Sequence, residues 1–187
     1  MAEATRHIEA PGLRVAEAAL PVCIDVRGDP NDGAFRQAVQ RVADLALPIE
    51  PCSSAEGLLA RALWLGPDQW LLTSGTQDGA HFVNSLRAAL KGLPCAVTDV
   101  SAARIVYAVS GVHARDLLAK GCPLDLHERA FAPGRCAQTL LAKLSIIVHR
   151  GTSEPAFDLY VGRSYADYAW DWLQAAAAEF GGAAGGT

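Results

Sequence analysis

Two apolar runs, Leu63 to Leu65 and Trp70 to Leu72, are separated only by Gly66-Pro67-Asp68-Gln69. Proline at the second position of such a tetrapeptide is already set to the backbone angle of a tight turn. The chain is therefore expected to double back here as an antiparallel hairpin. Helical stripes stand on both sides of it. Phe35, Val39, Val42 and Ala46 follow the turn cluster Gly28 to Gly33, and Phe82, Val83, Leu86, Ala89 and Leu90 lie within Asp78 to Leu90. Gly92 and Pro94 stop the second helix. The flanking stretches Leu13 to Val26 and Ala96 to Val100 read as strands, and Leu47 to Ser54, with its two prolines, reads as a loop. The order β-α-β-β-α-β is that of a ferredoxin-like split βαβ sandwich, an antiparallel sheet with one face buried under two helices.

The second half opens with a strand from Arg104 to Val109, then Ser110-Gly111 and a short helix whose Ala114, Leu117 and Leu118 share a face. Ser110 reads as its N-cap. Lys120 in the last turn, Gly121 as a left-handed cap and Pro123 beyond mark its end. Strands are expected at Cys136 to Ala142, Ser145 to His149 and Phe157 to Val161. A final helix, Tyr165 to Phe180, opens with the capping pattern Ser164-x-x-Asp167. At about 100° per residue, Tyr165, Tyr168, Ala169, Trp172, Ala176 and Phe180 fall on a common side, which is expected to face the core. Trp170 lies roughly 120° from that stripe. The whole is an α+β chain: a single domain over 1–180 built from two fused β-α-β units with antiparallel sheets and packed helices. The half-domains are expected at about 13–100 and 101–180, with 181–187 as a flexible, glycine-rich tail.

Hydrophobic residues make up 51% of the chain and charged residues 19%, a mix that builds a core and argues against disorder. With a net charge of −4 and no run of three basic residues, there is no footprint for nucleic acid or an anionic membrane. Glu3, Arg6, His7 and Glu9 interrupt any signal-peptide core, and no apolar window of about 18 residues follows, so a cytoplasmic location is expected. Cys23, Cys52, Cys95, Cys122 and Cys136 stand singly and odd in number, which points to buried thiols rather than a disulfide framework. Cys122 and His127 lack the second ligand pair that a zinc site requires.

Motifs for chemistry are scarce. Neither G-x-G-x-x-G nor G-x-x-x-x-G-K-[ST] occurs. Ser110-Gly111 lacks the first glycine of a nucleophile elbow, since Ala108 stands there. His7, His81, His113, His127 and His149 read as structural, with no carboxylate placed beside them by the sequence. Asp99 and Ser101, where a strand meets a turn, read as partners of local backbone amides. Trp64 and Trp70 flank the hairpin turn and read as core. No catalytic, cofactor-binding or metal-binding residue is assigned.

Five phrases, taken in order, resemble a known family. They are Leu63-Trp64-Leu65-Gly66-Pro67-Asp68-Gln69-Trp70-Leu71-Leu72, Thr98-Asp99-Val100-Ser101, Lys120 through His127, Pro133 through Thr139, and Phe157 through Ser164 with Trp170. Together, over about residues 58 to 175, they are similar to the gamma subunit of heterotetrameric sarcosine oxidase. The resemblance implies the fold of the folate-binding domain of the glycine-cleavage aminomethyltransferase. It also implies alpha, beta and delta partner subunits, which carry FAD, FMN, NAD, zinc and tetrahydrofolate. The complex would oxidise sarcosine to glycine, releasing hydrogen peroxide and forming methylene-tetrahydrofolate. Aminomethyltransferases carry glycines and two aspartates where this chain has Ala137 to His149, which contains neither. A scaffold role is therefore expected, the alternatives being an autonomous folate-dependent one-carbon transferase or a folate-binding accessory protein. Lys120-Gly121-Cys122 also matches a motif of the iron–sulfur-assembly folate-binding proteins, but Pro123-Leu124-Asp125 does not continue it.

Contact with partner subunits is expected at the loop Gly121 to His127, through Cys122, Leu124, Leu126 and His127, and at Trp170. Apolar side chains in a loop, and a large ring off the core face of a helix, have reason to be there when a partner covers them.

Overall fold

The computed structural model of the chain describes residues 6–18, 22–75, 78–151, 156–181 and 183–185. Two compact units emerge: Leu20–Ala102, and Met1–Ala19 together with Ala103–Thr187. The chain opens with β1 (His7–Ala10) and β2 (Leu13–Glu17), both belonging to the second of these. The strand expected over Leu13 to Val26 is thus two strands, because β3 (Val22–Arg27) lies in a different sheet. Residues 19–21, between them in the chain, lie outside the described residues.

The central unit continues through α1 (Gly33–Ala43), β4 (Ser54–Glu56), β5 (Arg61–Gly66), β6 (Gln69–Ser74), α2 (Gly79–Ala89) and β7 (Ala96–Asp99). Its sheet runs β4-β5-β6-β3-β7, antiparallel throughout. Leaving aside the three-residue edge strand β4, which falls at the end of the expected loop, this is the split βαβ order expected from the sequence. Asp32 starts α1 by accepting hydrogen bonds from the amides of Ala34 (2.8 Å) and Phe35 (3.3 Å). Phe35, Ala38, Val39 and Ala43 are its buried residues, and Asp44 ends it in the left-handed region at φ 54°. The helix therefore stops before Ala46. Asp78 caps α2 through the His81 amide at 2.9 Å, and Phe82, Val83 and Leu86 face inward. Trp70 is wholly buried, 5.8 Å from the Phe35 ring, and its indole N–H donates to the Pro48 carbonyl at 2.7 Å.

The other unit adds β8 (Arg104–Ser110), α3 (Ala114–Ala119), β9 (Cys136–Leu141), β10 (Leu144–Arg150), β11 (Ala156–Gly162), α4 (Ala166–Ala177) and β12 (Ala183–Gly185). Its antiparallel sheet has the order β12-β1-β2-β8-β11-β10-β9. Three residues of the tail expected to be flexible thus pair with β1. Alternate residues of the sheet, among them Val15, Ile105, Tyr107, Val109, Ile146, Val148, Phe157 and Leu159, bury one face against α3 and α4.

Helix termini differ from expectation here. Ser110 is the last residue of β8, opposite Arg14 and Ala156, and α3 begins at Ala114 with no side-chain cap. Gly111 takes φ 103°, and a Cβ there would come within 2.3 Å of the Gly12 carbonyl oxygen. Gly121 is absent from the left-handed residues. Its role is close packing instead, since a Cβ would sit 2.4 Å from Cζ2 of Trp172. The Ser164-x-x-Asp167 box does not form: a 3₁₀ turn, Arg163–Tyr165, leads into α4, and Asp167 accepts from Arg6 at 2.7 Å.

The largest correction concerns α4. Its buried residues are Ala169, Trp170, Leu173, Ala176 and Ala177, while Tyr165 and Tyr168 are 54% and 46% exposed. The core stripe is rotated from the expected one. Small alanines let the helix approach the sheet closely, and Trp170 fills the remaining space.

Candidate functional site

The residues expected to carry partner contacts come mostly from one loop, 120–135, that links α3 to β9. Cys122 and Leu126 are buried in the core of their own unit, and Leu124 packs against it half-buried. Trp170 is only 6% exposed, with its ring 5.6 Å from that of Tyr107. Intrachain packing accounts for these four apolar positions, so the exposure from which their contact with a partner was expected is not found. His127 alone is exposed, its Nδ1 accepting from the Arg129 amide at 3.3 Å.

What shapes the loop is a group the sequence reading passed over. Buried Arg150, on β10, donates to the Phe131 carbonyl at 2.6 Å and to Glu128 at 2.8 Å. Arg115, on α3, donates to the same Glu128 oxygen at 2.7 Å. The Arg115 bond, then the Arg150 bond, holds the Glu128 carboxyl below its ordinary value. One exposed carboxylate thereby ties together helix, loop and strand. A buried arginine next to a loop of Glu and Arg is the only signal for it, and its partners are 19 and 22 residues distant.

Asp99 is engaged locally. The Ser101 hydroxyl donates to it at 2.6 Å and the Ser101 amide at 2.9 Å, and these bonds, in that order, hold its carboxyl below the ordinary range. Ser101 Oγ in turn accepts from the Cys23 amide at 2.9 Å, fastening the end of β7 beside β3. Such an aspartate is an acceptor of local donors rather than a poised base.

Histidines are likewise placed in structural settings. His113 lies 3.1 Å from Asp116 and stacks on Phe180 at 5.0 Å. His149 is fully buried on the reverse face of the seven-stranded sheet, opposite Asp158, 3.5 Å away. Tyr107 donates to the Ala166 carbonyl at 3.0 Å, and burial, then the nearby Glu17, pushes its phenol up to about 12. Cys122 Sγ lies 3.8 Å from Thr139 Oγ1. Among the described residues no group of three or more His, Cys, Asp and Glu stands close enough to hold a metal ion. The hairpin β9–β10 presents no carboxylate from Ala137 to His149.

Surface features remain. A cavity of about 370 Å³ in the central unit is lined by Arg41, Val42, Leu59, His81 and Phe82 among others. Beside it, Leu58 is 92% exposed in the turn closed by the Gly57 amide on the Ala60 carbonyl. Tyr165, just before α4, and Tyr168, on it, are exposed.

Comparison with known proteins places this arrangement. The profile described as sarcosine oxidase, gamma subunit family, matches residues 27–179. The sarcosine oxidase subunit gamma of Corynebacterium sp. (strain P-1) is 34% identical over 171 residues, covering 90% of this chain and 81% of that subunit. A chain of heterotetrameric sarcosine oxidase from Corynebacterium sp. U-96, solved with pyrrole 2-carboxylate, superposes with a TM-score of 0.83 at 30% identity, covering 90% of this chain and 85% of its own. The glycine cleavage system aminomethyltransferase T of Bartonella henselae shares the fold, with a TM-score of 0.63 at 15% identity over 84% of this chain and 44% of its own. On these matches, which span both units, the chain belongs to the sarcosine oxidase gamma subunit family.

Proposed function

We propose that this chain is the gamma subunit of a heterotetrameric sarcosine oxidase and contributes surface rather than catalytic groups to it. The observation that carries the reading is the likeness in fold to a chain of the Corynebacterium enzyme across nine-tenths of the sequence. The residues best suited to acid–base chemistry, Asp99 and the histidines above, are engaged in local bonds, which supports a scaffold. In this reading alpha, beta and delta subunits hold FAD, FMN, NAD, zinc and tetrahydrofolate. The complex converts sarcosine to glycine, with hydrogen peroxide and methylene-tetrahydrofolate as further products. In this reading the complex assembles in the cytoplasm.

Co-expression with the three partner subunits tests this. The chain should co-purify with a flavin-bearing complex that releases peroxide from sarcosine, and alone it should be inactive with or without folate. Asp99→Asn should leave turnover of the complex within about twofold, against the hundredfold or more lost with a general acid or base. Turnover by the isolated chain, or collapse of the Asp99→Asn complex with normal assembly and flavin content, counts against the scaffold reading.

A further inference from the structure

The outward side of α4 carries more aromatic surface than a solvated helix needs. Tyr165 and Tyr168 are about half exposed, and Trp172 packs only partly, its ring lying over Gly121. By helical geometry Tyr168, Asp171 and Trp172 occupy a single arc of α4, adjoining the buried arc of Ala169, Trp170, Leu173 and Ala176, and Tyr165 ends the 3₁₀ turn that leads into the helix. Aromatic residues of this kind are enriched at the centres of protein interfaces.

Charge gives that arc a sign. From Ser164 to Phe180 there is no lysine or arginine, and the carboxylates are Asp167, Asp171 and Glu179. Arg6 neutralises Asp167 at 2.7 Å and Lys120 neutralises Glu179 at 2.9 Å. Asp171 has no ion-pair or hydrogen-bond partner among the described residues, and it stands three positions after Tyr168 and one before Trp172, within reach of both rings' side of the helix. The phenol hydroxyls of Tyr165 and Tyr168 and the indole N–H of Trp172 make no hydrogen bonds there either.

An exposed carboxylate one turn from an exposed tyrosine ring is the complement of a guanidinium, which stacks flat on an aromatic ring while donating two parallel bonds to a carboxylate. A lysine, as a point charge, would use only half of it. We propose that this face of α4, centred on Tyr168 and Asp171, docks an arginine-bearing surface of a partner subunit. The inference rests on the subunit reading above and names where that assembly is made.

The test uses the co-expressed complex, with wild type, Tyr168→Ala, Asp171→Asn and Asp171→Arg compared by co-purification and by dissociation constant in increasing salt. Tyr168→Ala should weaken assembly about tenfold and Asp171→Arg about a hundredfold, scales set by interfacial anchors and like-charge contacts. Asp171→Asn should flatten the salt dependence, since its charge is what salt screens. All three lie on the solvent side, so the melting temperature of the isolated chain should stay within about two degrees. If the variants assemble as tightly as wild type, with the same salt dependence, this surface is wrong and the subunit reading stands. If wild type itself fails to join the complex, both fall. Self-association of the isolated wild-type chain that Asp171→Arg abolishes would assign the face to a second copy instead, overturning the proposal.

Discussion

Trp170 shows what one side chain can contribute to this fold. It sits among Ala169, Leu173 and the strand residues of its sheet, with Tyr107 alongside and the Tyr107 hydroxyl bound to the first residue of α4. Truncation to alanine would leave a cavity that rigid β-strands cannot close, and such losses run roughly 3–5 kcal/mol for a buried tryptophan. Trp170→Ala should therefore lower the unfolding free energy of the isolated chain by that order in a urea titration. A change below about 1 kcal/mol, with assembly lost, would return the ring to the surface. Its position was misread because hydrophobicity alone weighted the rings of Tyr165, Tyr168 and Trp172 above the alanines. Close approach of helix and sheet favours the small residues, and only packing reveals that. The hairpin that ends at Trp70 was legible for the opposite reason: a tight turn is written within a few residues of where it acts.

At the scale of elements, the loop from Lys120 to Arg135 is held less by its own sequence than by Arg150 on β10. A buried guanidinium requires a counter-charge, and Glu128 supplies it while also bridging to Arg115. Because these bonds depress the Glu128 carboxyl, the stability they give is present above its unfolded value, about 4.5, and is lost as pH falls through the lower folded value. Wild type should thus have the higher melting temperature near neutral pH, and Glu128→Gln should narrow that gap steadily on acidification below about 4.5. Curves that run parallel across the acid range would show that Glu128 does not support the loop. The strands and helices on either side were readable from periodicity, since each is a local pattern. The pinning of a loop by a residue 19 or more positions away leaves no local trace.

The whole molecule has a topology that no local pattern could show, in which β2 pairs with β8 and the entire unit Leu20–Ala102 lies between them in the chain. Glu17 stands opposite Tyr107, so forming that pair from the unfolded chain closes a loop of about ninety residues. The central unit can shorten it. Its first and last strands, β3 and β7, are neighbours, with Ile24 opposite Asp99 and the Val100 amide on the Cys23 carbonyl at 2.8 Å. Once those strands pair, only about a dozen residues remain to be closed, roughly three halvings of loop length. At about 0.6 kcal/mol each, this lowers the closure entropy by about 2 kcal/mol. The central unit should therefore fold first and bring β2 and β8 within reach of each other. Pulse-labelled hydrogen exchange during refolding should find the amides of β3 and β6 protected before those of β2 and β8. Trp70→Ala, which weakens only the core of the central unit, should then delay protection of the Ala18 amide bonded to Val106. Protection of β2 and β8 that precedes the central unit, or that is indifferent to Trp70→Ala, would show that the long loop closes without this assistance.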